Sequence, residues 1–249
     1  MEVHHHAHTA RKKWTHYFWE FLMLFLAVFC GFLAEYKLEH TIEHQREKQY
    51  MQSFIYDLVN DTANLNAGFP LKDQRIKAID SVFLFYEMNP AVIKIPGKVY
   101  RHMHRTLWDR HYRRNSTTID QLKNAGGMRL IQKRIIADSI AAYDLQWQRA
   151  EFVRELYSTN LQKGKEFVEK ITIANDLLQA FRSNSTGNSL PLEITDSLTI
   201  SINPASLNEY LNFLNSQKTT TIQDKRAYQA IEQSAERLIA LIKKEYRLK

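Results

Sequence analysis

The chain has 249 residues, 24% of them charged and 44% hydrophobic, with only seven Gly and five Pro; this is globular composition poor in helix breakers, and it favours long helices. A formal charge of +7 and a pI near 9.3 suit nucleic acid and anionic lipid equally, so charge alone chooses neither. The one cysteine, Cys30, lies inside an apolar run, which excludes a disulfide framework and a cysteine metal site.

In chain order, the first segment is "MEVHHHAHTARKKW". Its histidines His4, His5, His6 and His8, with His16 close by, have the chemistry to bind a transition metal, while Arg11, Lys12 and Lys13 form a basic cluster without acidic neighbours. The plainer reading is a cytoplasmic tail, residues 1–16, held near anionic lipid. From Phe21 to Ala34 no residue is charged, and Tyr17, Phe18 and Trp19 extend the run with Glu20 as the single interruption. Residues 17–36 make a helix of about 30 Å, the hydrocarbon thickness of a bilayer, with Tyr17, Trp19 and Tyr36 at its ends where aromatic belts sit. Phe32 occupies the place where a cleavage site before Glu35 needs a small residue, and Phe29 precedes Cys30 where a lipoprotein signal needs one. The segment therefore reads as an uncleaved signal anchor. Beyond it Lys37, Arg46 and Lys48 alternate with Glu39, Glu43 and Glu47, so the basic cluster before the span predicts a cytoplasmic N-terminus.

Residues 37–67 contain neither Gly nor Pro before Gly68, and Phe54, Ile55, Leu58, Val59, Thr62 and Leu65 recur at helical spacing. This predicts a stalk continuous with the anchor, about 50 residues and on the order of 75 Å long. Pro70 fits the first turn of a second helix with Ile76, Ile79, Phe83 and Tyr86 on one face, ended by Asn89-Pro90. "AVIKIPGKVY" reads as loop or short extended chain. After a short helix and a Gly126-Gly127 turn, Ile136, Ile140, Tyr143, Trp147, Ala150, Tyr157 and Leu161 form one stripe, with Gly164 as a break before Phe167, Val168, Ile171, Leu178 and Phe181. "RSNSTGNSLPLEITDSLTIS" suggests a surface loop with one short strand. Asn203-Pro204 opens a further helix, and Ile231, Ala235, Leu238, Ile239, Ile242 and Tyr246 stripe the last one. The fold class expected is all-α: a transmembrane helix continuing into a stalk and then an extracytoplasmic helical domain over 37–249.

This layout resembles a family of uncharacterised single-pass bacterial membrane proteins, frequent in Bacteroidota and classed only as a domain of unknown function. The likeness rests on the Glu-containing anchor ending in Gly31 and Ala34, the stalk with Glu43, Arg46 and Glu47, the segment "YMQSFIYDLVNDTANL", and above all "IDQLKNAGGMRLIQKRIIADSIAAYD". It covers about the first two thirds of the chain, while the histidine-rich start departs from the family's usual basic leader. The resemblance implies topology and fold, and no chemistry.

Four features carry candidate chemistry. "HTIEH" puts His40, Glu43 and His44 in the H-x-x-E-H order of a zinc peptidase, in which two histidines one turn apart hold zinc and the glutamate activates water; the competing reading is a solvated stalk. Glu20 within the span is costly unless it pairs, for which His16 one turn earlier is placed, or reaches the headgroups; the functional alternative is a proton or partner contact. Ala27 with Gly31, and Cys30 with Ala34, form small-residue strips that permit a homodimer through the anchor. Finally, Arg101, Arg105, Arg110, Arg113 and Arg114 accompany Trp108 and Tyr112 in a basic patch. In the cytoplasm that patch would be read for nucleic acid; outside it, for headgroups, anionic glycans or an acidic protein, against a solvated face with arginine stems covering Trp108. No phosphate loop, nucleophile elbow or nucleophile–base–orienter set is recognisable. The sequence thus predicts a non-catalytic binding or scaffolding component of the cell envelope. It would be single-pass in the inner membrane with the bulk of the chain periplasmic, an envelope protein as partner, no nucleic acid and no cofactor. The alternative is a membrane-anchored zinc-dependent hydrolase using residues 40–44.

Overall fold

A computed structural model describes residues 14–124, 126–176, 196 and 198–248, with 156–161 described by backbone alone. The expected all-α class holds. Among the described residues, the helices α1 (Trp14–Met88), α2 (Gly97–Arg105), α3 (Thr117–Asn124), α4 (Arg134–Ile171) and α5 (Leu207–Tyr246) are accompanied by the short strands β1 (Lys94–Pro96) and β2 (Thr199–Ser201), and by 3₁₀ turns at Gly127–Leu130 and Pro204–Ser206. The chain divides into two compact units, Met1–Met51 and Gln52–Lys249, with α1 beginning in the first and ending in the second.

In the first unit, α1 holds an 18-residue window of mean hydropathy 2.0, none of which is buried. Phe21, Phe25 and Phe29 stack along it, their centroids 6.2 and 6.0 Å apart, the contact expected of rings four residues apart on one face. A core helix of a soluble protein would bury this surface at roughly 25 cal/mol per Å². None of the window is buried within this chain, and by length and composition the helix is long and apolar enough to cross a membrane.

The second unit is built on residues 52–88 of α1 with α4 and α5. Contacts between α1 and α5 pair Asn66 with Glu232, Asp73 with Lys225, and Asp80 with Lys218. Numbers rise on one helix as they fall on the other, so the two run antiparallel. The pairs Lys133–Glu245, Trp147–Tyr228 and Phe167–Phe213 make α4 and α5 antiparallel in the same way. The stripes read from the sequence form the core: Ile136, Ile140, Tyr143 and Trp147 of α4, and Ile231, Ala235, Leu238 and Ile242 of α5, are buried. Tyr157 and Leu161 have undescribed side chains, and Leu178 and Phe181 lie outside the described residues.

Three expectations change. Pro70 lies inside α1 and does not start a second helix; a proline there forfeits one backbone hydrogen bond, which buried Leu65, Ile79 and Val82 on either side offset by packing. Core side chains begin at Met51, Phe54 and Leu58, so a stalk ending at 67 is too long. Gly164 is not a break, since α4 passes through it. A Cβ there would stand 3.0 Å from two ring carbons of Phe213 and 3.3 Å from Leu107 Cδ2, so the glycine serves close helix approach.

One end of the bundle is closed by β1 and β2, antiparallel with Ile95 opposite Ile200. Both isoleucines are buried with Tyr86, Met103, Ile171, Tyr210 and Leu214. The Asn89 amide donates to the Phe85 carbonyl at 2.9 Å and ends α1 before Pro90. Asn203 accepts from the Ala205 amide at 3.2 Å and opens the final helical stretch, as its place before Pro204 predicts.

Candidate functional site

Between α2 and α3 the chain is irregular over residues 106–116, and its backbone polar groups require partners. One face of α1 supplies them. Asp57, Asp61, Asn64, Gly68, Lys72 and Arg75 follow one another at intervals of three and four and therefore share a side of the helix. Arg75 Nε donates to the Thr106 carbonyl at 3.0 Å, and Asn64 Oδ1 accepts from Arg110 at 2.7 Å. Asp61 Oδ1 accepts the Asn115 amide at 2.7 Å, and Asp57 Oδ2 accepts the Thr118 amide at 2.9 Å, capping α3 from another helix. In the middle the Tyr112 ring lies so close to α1 that a Cβ on Gly68 would be 2.3 Å from its Cε1.

At the centre of this face is a buried quartet of two cations and two carboxylates. Lys72 Nζ donates to both oxygens of Asp109 at 3.0 and 3.1 Å and to Asp224 Oδ2. Arg75 donates to Asp109 at 3.1 Å and to Gln217 Oε1 at 2.9 Å. The Lys72 ammonium also lies 5.4 Å from the Tyr112 ring centre and 5.9 Å from that of Tyr228. Burial pushes the Asp224 carboxyl up, opposed by Lys72 beside it. The four formal charges cancel, and each cation meets a carboxylate, the arrangement that makes burial of charge tolerable. Asp61 is perturbed as well: burial lifts it to about 6 against the bonds from Asn115 and from the Tyr143 hydroxyl, which lies 2.7 Å from Oδ2.

Openings flank α4 on two sides. Between α4 and α5 runs a largely apolar groove of about 430 Å³ lined by Ala150, Val153, Ala227, Ala230 and Ile231. Gln146, Arg149, Thr220, Gln223 and Asp224 are its polar groups, and Gln146 Oε1 is buried without a hydrogen-bond partner among the described residues. Phe152 and Leu145 stand exposed on the same helix. On the other side, where the 106–116 segment meets α4, Arg113, Glu151 and Arg154 are shared by two adjoining openings, one lined also by His111, Phe152 and Glu155 and the other, a polar cleft, by Arg114, Ser116 and Asp120.

The five arginines of the sequence patch are thereby dispersed. Arg101 pairs with Asp196, Arg105 bonds Gln74, Arg110 bonds Asn64 and Arg114 pairs with Asp144, while Arg113 has no partner among the described residues. Only Arg113 and Arg114 meet in one place, joined by Arg154, which helical spacing alone assigns to a surface. Trp108 is 68% exposed, so arginine stems do not cover it. His40 and His44 sit one turn apart on α1 with His44 Nδ1 3.2 Å from Glu47 Oε2, and among the described residues no three His, Cys, Asp or Glu gather to hold a metal. His4, His5, His6 and His8 lie outside the described residues. Glu20 is exposed without a partner among them, His16 lying instead against Tyr17 at 6.1 Å. Ala27, Cys30, Gly31 and Ala34 are exposed, and a Cβ on Gly31 would meet nothing within 4 Å. The quartet, Asp61 and the groove were not legible, because a charged residue on a helix reads as solvated and a gap between helices has no local pattern.

Comparison with protein-family models, curated proteins and solved structures finds no match.

Proposed function

We propose that the chain is a single-pass protein of the inner membrane, with its N-terminus in the cytoplasm and its helical bundle in the periplasm, acting as a non-catalytic binding component of the envelope. The observation that carries the reading is the apolar window of α1, of mean hydropathy 2.0 and with no residue buried. The α4/α5 groove is the binding surface it favours, and an amphipathic helix of an envelope protein is the occupant. The lining of Ala150, Ala227 and Ala230 admits close helix approach. A hydrogen-bond donor within the occupant's apolar stripe would meet Asp224 and the unpaired oxygen of Gln146. The zinc-hydrolase alternative draws no support from the exposed motif at residues 40–44, since His44 Nδ1 lies toward Glu47, outside the motif.

Alkaline phosphatase and a cytoplasm-restricted fluorescent protein, each fused after Lys249, test the topology; phosphatase activity without fluorescence is expected. A photocrosslinking residue at Ala227 then tests the surface in cells. A discrete adduct with an envelope protein, lost on Ala150→Trp and absent when the crosslinker replaces Tyr56, is the expected result. Equal adducts from both positions would overturn the groove assignment.

A further inference from the structure

The polar cleft beside α4 combines charges in a way that the bundle's architecture does not use. Arg154 is held in place by its Nη1 donating to the Tyr112 carbonyl at 3.0 Å, and Arg114 by its ion pair with Asp144. Each is fixed through one nitrogen, and the Arg114 Nε is buried without an acceptor among the described residues. Arg113 is exposed and unpaired among the same residues. Three guanidinium groups therefore line one opening with the Ser116 side chain. A single carboxylate is satisfied by one planar fork, whereas donors converging from several side chains match the oxygens of a tetrahedral phosphoryl group. The cleft is nevertheless not simply cationic. Asp120 and Glu151 line it with the arginines, Glu155 and His111 line the adjoining opening, and Lys123 stands behind Asp144 at 2.9 Å. No ion pair joins Arg113 or Arg154 to Glu151 among the described residues, so both signs remain available to a ligand.

We propose that this cleft binds a phosphodiester bearing a primary amine, the zwitterion of a phosphoethanolamine group. Arg113, Arg114 and Arg154 hold the phosphoryl oxygens, and Glu151, with Asp120 beside it, accepts from the ammonium. The same chemistry is offered by a lipid headgroup and by its soluble glycerol ester.

The test uses the full chain in a neutral maltoside detergent. Glycerophosphoethanolamine, glycerophosphocholine and inorganic phosphate are titrated by calorimetry, and bound phosphatidylethanolamine and phosphatidylcholine are counted by native mass spectrometry. The ethanolamine form is expected to bind about tenfold more tightly than the choline form, whose quaternary nitrogen has no N–H to donate. Arg113→Ala, at an exposed and unbonded side chain, weakens every phosphate probe about tenfold. Glu151→Gln keeps phosphate binding and removes the preference for the amine. Saturation by the soluble ester assigns a small-molecule ligand, and retention of the ethanolamine lipid alone assigns a headgroup; either supports the site. Binding of neither, equal affinity for the ethanolamine and choline forms, or an equal loss on Arg134→Ala, whose 93% exposed side chain is outside the cleft, overturns it.

Discussion

Asp109→Asn tests whether the buried quartet is held by its charges. The Asp109 side chain is 7% exposed and accepts two bonds from Lys72 and one from Arg75, both 1% exposed. The amide has nearly the same shape but removes one negative charge, leaving two buried cations with Asp224 as the only carboxylate of the four. Breaking a buried pair by removing one partner costs about 3–5 kcal/mol. At about 2–4 °C per kcal/mol for a unit of this size, the midpoint should drop by about 6–20 °C, measured by circular dichroism at 222 nm in detergent. Lys72→Met with Asp224→Leu removes one charge of each sign, keeps the Arg75–Asp109 pair and should cost far less than Asp109→Asn. A loss under about 1 kcal/mol for Asp109→Asn, or a double variant no better than the single, would refute the argument that charge pairing governs this site.

Other outcomes follow from particular contacts. Gly68→Ala gains about 1 kcal/mol in helix propensity but drives a Cβ into the buried Tyr112 ring, for a net loss of about 1–3 kcal/mol by urea denaturation; Tyr112→Leu in the same chain should recover part of it. Asp61 is raised to about 6 by burial, so the folded chain holds a proton that the unfolded chain releases near 4; this contribution weakens stability as pH rises from about 4 to about 6. Asp61→Asn should flatten that part of the curve by about 2–3 kcal/mol relative to the wild type, and parallel curves would remove the assignment. Deletion of residues 1–36 should move the protein from the carbonate-resistant membrane pellet to the supernatant without detergent, and a fragment that still pellets would count against the anchor.

The parts of this fold visible in the sequence are those in which periodicity and burial coincide. Ile231, Ala235, Leu238 and Ile242 show α5 because every member is apolar and the spacing is regular. The same spacing in Asp57, Asp61, Lys72 and Arg75 carries the opposite meaning, because polarity alone cannot distinguish a face turned to solvent from one turned to a polar stretch of chain. That is why residues 106–116 read as a basic patch, although Thr106 and Tyr112 are buried and Asn115 is tied by its backbone to Asp61. Pro70 misled for a related reason: a local rule for helix starts was outweighed by packing on either side of it. At the candidate cleft the sequence supplied Arg113 and Arg114, but Arg154 joins them only through the way α4 passes the connecting segment.

The polar face of α1 also implies an order of assembly. Its contacts with the returning chain span 31 residues at Arg75–Thr106, 54 at Asp61–Asn115 and 61 at Asp57–Thr118. The shortest loop closes at least entropic cost, and each engaged pair shortens the free chain before the next. The returning segment should therefore close onto α1 as a zip, starting at Arg75 and running back toward Asp57. Deleting the Arg75 contact would then slow refolding, whereas deleting the Asp57 contact would chiefly speed unfolding.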